Sequence, residues 1–591
     1  MTSVGVKGSD VYTADGVENP LVALSVLLTR GVSATVVETA VHTIIDSLSP
    51  YSANPVIEDL LVLAFQTRDI RGGKGERDAS AHIFDALLNN IHTCDLTLDL
   101  LDLVPEYGSW RDLLMNKSYH SIRRILEIVE KQFAADEAAL AAGKSVSLLA
   151  KWMPREGQVG AELLASRLVK PTTSDSIPRN SRMRIYRKRL SALNRAINTV
   201  EIKMCANQWD AIEPAKVPGR AMKKYTKAFL NELGTTRKGQ KVAAGVLRKP
   251  NDEVRMLCRE HFQAYFAKAA TGEVKAKGAD TIFPHEVVKK ACELLETDHG
   301  EGCACCYRQG DPAQDEKNML RGVWKSMVEE AKAGGGLGRS LAMCDFSGSM
   351  RCSDSNGDTP FWVSMAIGLL ISEVTTQEFK NTFLTFDSTP QMHVLPEGDL
   401  FQKLNSIDHN SMSQGTSTDF QKAMDLVLAQ LKAKRVKAGE EPENLIVLTD
   451  MAWDQACGSD TQSPYTGHSY RHNVKTAPWQ THIEMIRESF KRAGEDMWGE
   501  GNGWKMPRIV IWNIAATCQD FHAKADTEGV VMLSGWSPSM FKVLQADGVT
   551  VQTPEGALRA QLDAERYQPV RARVQKFYAD KVKDFYDTNA C

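Results

Sequence analysis

Residues 340–350 read SLAMCDFSGSM, an apolar run that leads directly into acidic and hydroxyl side chains. Similar short apolar runs recur downstream, and segments with helical periodicity separate them. The runs lie at residues 341–344, 383–386, 445–448, 509–514 and 530–533. Strands that alternate with helices form mostly parallel sheets covered on both faces. The sequence therefore predicts a doubly wound α/β domain that begins near residue 340.

The chain before residue 334 has a different pattern, in which apolar residues recur at steps of three and four. This helical period runs through residues 20–49, 57–65, 83–91, 122–133 and 185–204. No strand-like alternation separates these segments, so we predict an all-α half of stacked helical pairs of the HEAT or armadillo type. The glycine-rich joint AKAGGGLGRS links two predicted domains, 1–334 and 335–591, and the second ends in a helical tail.

Composition narrows the class of protein. The 591 residues are 43% hydrophobic and 25% charged, which excludes disordered and fibrous chains. The N-terminus lacks the pattern of a secretory signal, and no apolar run reaches the roughly 18 residues of a membrane span. Twelve cysteines are few for this length and indicate reduced thiols. We therefore expect a soluble, cytoplasmic, multidomain protein that contacts no membrane.

The end of the first predicted strand carries candidate metal ligands. Asp345, Ser347 and Ser349 alternate along the turn and can direct several oxygens at one hard cation. Thr418 in GTSTDF and Asp450 in VLTDM follow later, and the carboxyl ends of neighbouring strands meet at one edge of such a sheet. Mg²⁺ is the expected cation because it prefers octahedral oxygen ligands and retains several waters.

Alternatives to this metal site remain open at the level of the sequence. Thr416 competes with Thr418 for the same role. DFSGSM can also be an ordinary strand-to-helix turn whose serines cap the helix. A hydrolase is disfavoured because the motif is not the G-x-S-x-G elbow and no histidine has an evident place beside Ser347. We therefore assign no catalytic residue.

These residues resemble the metal-ion-dependent adhesion site (MIDAS) of the von Willebrand factor A domain, in which D-x-S-x-S is followed by a Thr and an Asp. The resemblance implies a Rossmann-like fold in which Ser347, Ser349 and Thr418 bind the metal directly. It implies that Asp345 and Asp450 act directly or through water. An open sixth position would accept an acidic group from a protein partner.

A strongly basic stretch lies in the helical half. Residues 179–277 hold 23 Lys and Arg against 8 Asp and Glu, a local charge of +15 in a chain whose total is −3. Basic side chains bind phosphate backbones and the interleaved aromatic rings can stack unpaired bases, so RNA is the favoured ligand. The alternative is a solvated basic face that pairs with the acidic remainder of the chain. The candidate RNA-binding residues are Arg182, Arg184, Arg187, Lys188, Arg189, Arg220, Lys223, Lys224 and Lys227.

Two smaller elements have a functional and a structural interpretation. The stretch TRDIRGGKGERD, residues 67–78, is a candidate phosphate-binding loop, but it lacks the P-loop spacing, so a turn between helices is favoured. Candidate zinc ligands are His299, Cys303, Cys305 and Cys306 in the insertion DHGEGCACCYRQG, with Cys292 as a further candidate. Their spacing does not match common zinc sites, so a loop with reduced thiols is favoured.

The segments RDIRGGKGERD, VPEYGSWRDLL and LLAKWMPREG, combined with the adhesion-site motif, resemble the TROVE-module proteins. That group includes the Ro autoantigen and a poorly characterised related family with the same two-part layout. The resemblance implies a ring of helical repeats closed by the A domain. It also implies binding of small noncoding or misfolded RNA through basic surfaces of the helical half, as in a ribonucleoprotein.

Two functional hypotheses follow from the sequence. The first is an RNA-binding scaffold whose A domain carries a Mg²⁺ site for a partner or ligand. The second is a protein-interaction module that acts through the metal-dependent A domain and binds no RNA.

Overall fold

The computed structural model describes residues 2–4, 10–48, 54–116, 118–170, 177–235, 242, 245–300, 311, 313–353, 357–376, 378–386, 389–407, 420–452, 479–516, 518–545 and 553–589. Within them, the first half of the chain is helical and the second half contains a six-stranded mixed sheet. Thr418, Thr416 and the Cys303–Cys306 insertion lie outside the described residues. No described helix is long and apolar enough to cross a membrane.

Sixteen helices precede the sheet in the described chain. They are α1 Pro20–Leu27, α2 Ala34–Asp46, α3 Pro55–Arg68, α4 Arg77–Asn89, α5 Cys94–Leu100, α6 Val104–Tyr107, α7 Trp110–Leu114, α8 Ile122–Ala141, α9 Leu149–Trp152, α10 Ala161–Leu168, α11 Arg179–Ile197, α12 Val200–Cys205, α13 Gly219–Phe229, α14 Glu253–Thr271, α15 Pro284–Gly300 and α16 Gln314–Ala333. All five segments with helical periodicity are confirmed as helices. A small antiparallel pair, β1 Thr2–Val4 and β2 Asp10–Tyr12, precedes them.

Strands and helices alternate in the second half, as predicted. The strands are β3 Ser340–Asp345, β4 Thr382–Phe386, β5 Met392–Val394, β6 Asn444–Thr449, β7 Arg508–Asn513 and β8 Val530–Ser534. The helices are α17 Pro360–Val374, α18 Leu400–Asn405, α19 Phe420–Ala433, α20 Trp479–Trp498, α21 Phe541–Gln545, α22 Pro554–Leu562 and α23 Gln568–Asn589. The five predicted strands are confirmed, and β5 is an additional short edge strand.

The sheet has the strand order β5-β4-β3-β6-β7-β8, and all neighbours are parallel except the β4–β5 pair. The strand order reverses between β3 and β6, since the chain adds β4 on one side of β3 and β6 on the other. In such sheets this switch point leaves a crevice at the carboxyl ends of the two strands. Asp345, Ser347, Ser349 and Asp450, the described members of the predicted metal-ligand set, follow the ends of these two strands.

Both faces of the sheet are buried, which explains why its strands are continuously apolar. Along β3, Leu341 and Met343 pack in one core with α19, whereas Ala342 and Cys344 pack in the other core with α17. Each core also contains residues of the helical half: helices α1–α11 contribute to the first, and α13–α16 to the second. The two halves of the chain therefore share their hydrophobic cores.

Local capping sets several helix boundaries. Asn19 accepts the N–H groups of Leu21 and Val22 at the start of α1, and Pro20 occupies the first helical position. Asp252 accepts the N–H of Arg255 at the start of α14. The same helix ends at Gly272, whose φ of 86° is a left-handed conformation that glycine adopts without strain.

The helical half also covers part of the carboxyl edge of the sheet. The Nδ2 of Asn513, at the end of β7, donates to the carbonyl of Val26 over 3.0 Å. The Oγ of Ser534, at the end of β8, lies 2.7 Å from the carbonyl of Ser25 and 3.1 Å from that of Leu28. Carbonyl groups at the C-terminal end of α1 and of the residue that follows it thus accept hydrogen bonds from the ends of two strands.

Lys74 lies buried at this junction, 1% exposed. Its Nζ donates to the carbonyl and hydroxyl oxygens of Ser25, and to Ser534 Oγ over 2.9 Å. Burial lowers the pKa of Lys74 from 10.5 to about 7, against the opposing charge of Glu76. The RGGKGE stretch therefore connects α3 and α4, as the structural interpretation of this segment predicted, and it also joins the two halves of the chain.

The helical tail packs back on the first helices. Arg571 of α23 pairs with Glu58 at 2.7 Å and with Asp59 at 2.8 Å, both on α3. Tyr567 stacks on Tyr107 with ring centroids 5.7 Å apart. The tail is thus helical, and these contacts are with the helical half of the chain.

Candidate functional site

Two buried carboxylates lie at the switch point of the sheet. Asp345 is the last residue of β3, and Asp450 directly follows β6. The strands are in parallel register with Cys344 opposite Leu448, so the two aspartates follow neighbouring strand ends. Both side chains are completely buried. The structure therefore brings these two residues to the same edge of the sheet.

The carboxylate of Asp345 accepts hydrogen bonds from Ser347 and Thr449. Its Oδ1 accepts the backbone N–H of Ser347 over 2.9 Å. Its Oδ2 accepts the hydroxyl of Thr449 over 3.0 Å, and that hydroxyl in turn accepts the N–H of Met451 over 3.2 Å. A carboxylate has about four lone-pair sites, so these hydrogen bonds leave room for a further ligand.

The two serines of the motif place their hydroxyls together. Ser347 ends the loop that leaves β3, and Ser349 lies in the 3₁₀ turn Gly348–Arg351 that follows. Their Oγ atoms are 3.1 Å apart. Neither side chain caps this short helix, so the capping interpretation of DFSGSM is not what the structure shows. The alternation of the motif thus puts two hydroxyl oxygens next to the buried carboxylates.

The electrostatics of this cluster favour a cation. Burial and the negative charge of Asp450 raise the pKa of Asp345 above its usual range, so a nearby positive charge would favour the ionised form of this carboxylate. Two carboxylates and two hydroxyls form an all-oxygen donor set, which suits Mg²⁺ better than zinc. No group of three or more His, Cys, Asp or Glu in the described part of the chain forms a metal cluster. The residues present therefore fit a hard cation bound partly by hydroxyls and water.

Sequence reasoning missed two residues that shape the cluster. Thr449 directly precedes Asp450 in the sequence VLTDM, but this sequence does not indicate the hydrogen bond between Thr449 and Asp345. His522 is buried, and burial lowers its pKa to about 4, so its ring is neutral at pH 7. Its Nε2–H donates to the carbonyl of Met451 over 2.8 Å. Met451 has a φ of 68°, an unusual value for a bulky side chain, at the residue after Asp450.

The predicted basic residues divide into distinct groups, and the first lies on α11. Arg184, Lys188 and Arg195 are all exposed. Their spacing of four and seven residues places them on one side of the helix. None of the three has an acidic partner among the described residues. We call these three residues the α11 stripe.

Three further candidates on α11 are engaged in intramolecular contacts. Arg189 forms a forked contact with the carboxylate of Glu137, donates to the carbonyl of Leu168 and lies 4.8 Å over the ring of Phe133. Arg182 donates to the carbonyl of Ile177 over 3.1 Å. Arg187 forms an exposed ion pair with Glu156 at 2.7 Å. Arg182 and Arg189 thus stabilise the helical packing rather than present a free charge.

The candidates on α13 are partly neutralised. Arg220 and Lys223 both contact Glu286, at 2.9 and 2.7 Å. Lys224 is exposed, with its Nζ 5.1 Å from the ring centroid of Tyr225, and Lys227 is partly buried. The alternative that basic residues pair within the same protein therefore holds for part of the set, although Glu286 belongs to the helical half.

An exposed aromatic ring lies beside α11. Trp152, at the end of α9, is 37% exposed. The guanidinium carbon of Arg111 lies 5.9 Å from its ring centroid, and the Nζ of Lys151 lies 5.8 Å away. The short helix α9 is fixed to α11, because Asn194 donates to the carbonyl of Ala150 over 2.9 Å. A planar apolar surface flanked by two cations thus adjoins the helix that carries the stripe.

Two family models match separate parts of the chain. Residues 339–582, which hold the sheet and most of the tail, match a domain of unknown function, DUF7788. Residues 123–235, which include α11, match a second domain of unknown function, DUF2828.

One curated protein and one solved structure resemble the chain over most of its length. An uncharacterized protein of Acanthamoeba polyphaga mimivirus is 24% identical over 504 residues, covering 82% of this chain and 75% of that protein. The crystal structure of the Deinococcus radiodurans Ro (RSR) protein aligns with 14% identity and a TM-score of 0.33 over 84% of this chain and 94% of the other. The sequence similarity to the mimivirus protein therefore extends through both the helical half and the sheet.

Proposed function

We propose that this protein is an RNA-binding scaffold of the Ro type, in which a HEAT-like helical domain binds RNA and a von Willebrand A-like domain carries a divalent-metal site. The observation that carries the RNA part is the α11 stripe. Among the residues that the structure describes, these three cations have no acidic partner, and they lie on one side of one helix in a chain whose net charge is −3. A cationic line on an acidic protein attracts a polyanion to that surface.

The dimensions of the stripe suit a nucleic acid backbone. With a rise of about 1.5 Å per residue, Arg184 and Arg195 are separated by about 16 Å along the helix axis. A strand that follows this line meets several cations in succession, and each neutralised phosphate releases counterions. Trp152 adds a surface on which an unpaired base can stack, and Arg111 and Lys151 lie near its ring. We therefore assign single-stranded segments of RNA as the ligand of this surface.

The second part of the proposal concerns the oxygen cluster at the switch point. Asp345, Ser347, Ser349 and Asp450 are the described residues that would hold Mg²⁺, and Thr418 completes the set by resemblance to the adhesion site. A cation held by these residues would supply a positive charge to which a carboxylate of a protein partner could bind. The protein itself supplies the buried, oxygen-lined position that the cation needs.

Reversal of the α11 stripe is expected to weaken RNA binding. In a variant carrying Arg184→Glu, Lys188→Glu and Arg195→Glu, the affinity for single-stranded RNA should fall at least about tenfold at low salt. The slope of log affinity against log salt should decrease by about 2, because each single-strand phosphate contact contributes about 0.7. Filter binding or fluorescence anisotropy across a salt series measures both quantities.

A matched variant controls for the change in net charge. Lys432, Lys434 and Lys437 are exposed around the C-terminal end of α19, in the sheet half, and have no acidic partner in the described structure. Reversal of these three lysines changes the total charge by the same amount and should leave the RNA affinity unchanged. Equal losses in both variants would show a non-specific charge effect and would contradict binding at α11.

The alternative function is protein interaction through the metal site without RNA. It is favoured by the paired buried carboxylates, whose repulsion a bound cation would relieve. In this case a partner is retained on the immobilised protein with Mg²⁺ and released by chelator, while the reversed α11 stripe has no effect on any ligand. Copurification of RNA that is insensitive to chelator but lost at high salt would instead support the first proposal.

A further inference from the structure

A cavity of about 340 Å³ opens among the first helices, apart from the sheet. Helices α4 and α7, the residues after α7, and the turn that precedes α6 surround it. Its apolar walls are Phe84, Leu101, Val104, Leu113 and Met115. The first four of these side chains are buried, whereas Met115 is 54% exposed. The cavity is thus a preformed apolar recess with a mouth at the protein surface.

The charges that line this cavity do not suit an anion. Asp112 accepts Arg68 Nε over 2.9 Å and Arg77 Nε over 2.8 Å, so the two guanidinium groups are already engaged. Asp78 and Asp85 also line the cavity, which gives the lining a formal charge of −1 from two arginines and three aspartates. A phosphate or carboxylate would be repelled from such a recess, whereas a neutral ring would not.

Neutral polar groups remain available in the lining. The Oδ1 of Asn116 accepts both the N–H of Ser118 over 3.0 Å and the hydroxyl of Ser121 over 2.8 Å. These bonds fix the orientation of the amide and leave its Nδ2–H donors without a partner in the described residues. The imidazole of His82 also lines the cavity. Apolar walls with a few oriented polar groups are typical of sites for small planar ligands.

The mouth of the cavity adjoins the surface already assigned to RNA. The Nε of Arg111 lies 3.1 Å from the Sδ of Met115 at the mouth. The guanidinium of the same arginine lies near the ring of Trp152, and α9 is fixed to α11. Contacts therefore lead from Asn194 of α11, through α9 and the exposed ring of Trp152, to the mouth of the cavity.

From these observations we infer that the cavity binds an uncharged nucleobase, which enters from an RNA strand or from a free nucleoside. This inference rests on the proposed RNA-binding function for the strand-borne base. The charged backbone stays outside with the stripe, and the base alone enters the recess. The apolar walls contact its ring, and the amide of Asn116 donates to its polar edge.

A substitution that fills the cavity from its rim tests the inference. Ala81 lines the cavity and is exposed on α4, so Ala81→Trp should block the recess without disturbing the core. Ala135 is exposed on α8 outside the lining, and Ala135→Trp is the matched control. The probes are adenosine, guanosine, cytidine and uridine by calorimetry. Single-stranded oligoribonucleotides with bases and an abasic strand of equal length are compared by anisotropy.

The expected result is an advantage of about tenfold for at least one base-containing strand over the abasic strand. Ala81→Trp should abolish this advantage and leave the affinity for the abasic strand unchanged, and Ala135→Trp should preserve it. Nucleoside binding lost in Ala81→Trp without any change in strand affinity would identify the free nucleoside as the ligand.

Two further outcomes separate this inference from the function on which it rests. If no nucleoside binds and Ala81→Trp leaves the preference for bases intact, the cavity inference is overturned, and an apolar side chain of a protein becomes its candidate occupant. If reversal of the α11 stripe has no effect on RNA but Ala81→Trp abolishes nucleoside binding, the proposed RNA function fails and the cavity assignment stands.

Discussion

Between about pH 6 and about pH 9 the wild-type protein should gain about 2–3 kcal/mol of stability that a Lys74→Met variant does not gain. The pKa of Lys74 falls from 10.5 to about 7 on folding because its ammonium is buried between α1 and the end of β8. The unfolded chain therefore binds more protons than the folded chain between these two values. Stability must rise with pH wherever the unfolded state binds more protons.

Urea unfolding at several pH values gives the free energy of unfolding of both proteins as a function of pH. The gain is the difference between the two slopes of free energy against pH. The difference between the two proteins is more informative than either slope alone, because other buried groups also make the stability depend on pH. Burial raises the pKa of Cys258 to about 11 and that of Cys292 to about 12. Buried thiols of this kind lower the stability above about pH 9 in both proteins, and their effect cancels in the comparison.

Lys542 provides a matched control at the same junction. It is exposed, and its Nζ donates to the carbonyl of Arg71 over 2.9 Å. Lys542→Met removes a lysine from the same contact region without removing a buried charge. The free energy of unfolding of this variant should therefore change with pH as that of the wild type does. Identical slopes in the wild type and in Lys74→Met would mean that Lys74 keeps an ordinary pKa and that the junction is hydrated.

The secondary structure and fold class could be predicted because they depend on local pattern. The apolar run 341–344 signals a strand buried on both faces, and the structure places alternate residues of that run in two cores. The covering of the sheet edge by α1 could not be predicted in this way. It depends on the carbonyls of Ser25 and Val26 meeting Ser534 and Asn513, about 500 residues later, and no periodicity reports such a contact.

The candidate sites also have features that the sequence predicts and features that only the structure shows. Asp345 and Asp450 could be predicted to meet, because parallel topology brings neighbouring strand ends together. The bond from Thr449 and the support of Met451 by His522 arise from tertiary packing alone. On α11 the sequence grouped Lys188 with Arg189, although one is exposed and the other binds Glu137. Charge composition reports how many cations a helix has, and only packing decides which of them are free.

Asp345→Asn is expected to stabilise the metal-free protein and to abolish its response to Mg²⁺. Without a cation, the ionised Asp345 is buried next to Asp450, and the amide removes this charge while keeping an oxygen for the N–H of Ser347. The gain should be about 1–3 kcal/mol in chelator, since burial and like charge both oppose ionisation at this position. Thermal unfolding in chelator and in excess Mg²⁺ measures both effects.

In chelator the Asp345→Asn variant should be more stable than the wild type, whereas Mg²⁺ should stabilise the wild type alone. The experiment is decisive because these two effects favour different proteins. At a Mg²⁺ concentration about 100-fold above the dissociation constant, the cation should stabilise the wild-type protein by about 2.7 kcal/mol, whereas it should not stabilise the variant. Asp425, exposed on α19, supplies the control, because Asp425→Asn removes the same charge and should preserve the Mg²⁺ response. A variant destabilised in chelator would indicate that Asp345 acts as a structural hydrogen-bond acceptor. In that case, the two carboxylates would serve the fold rather than a metal.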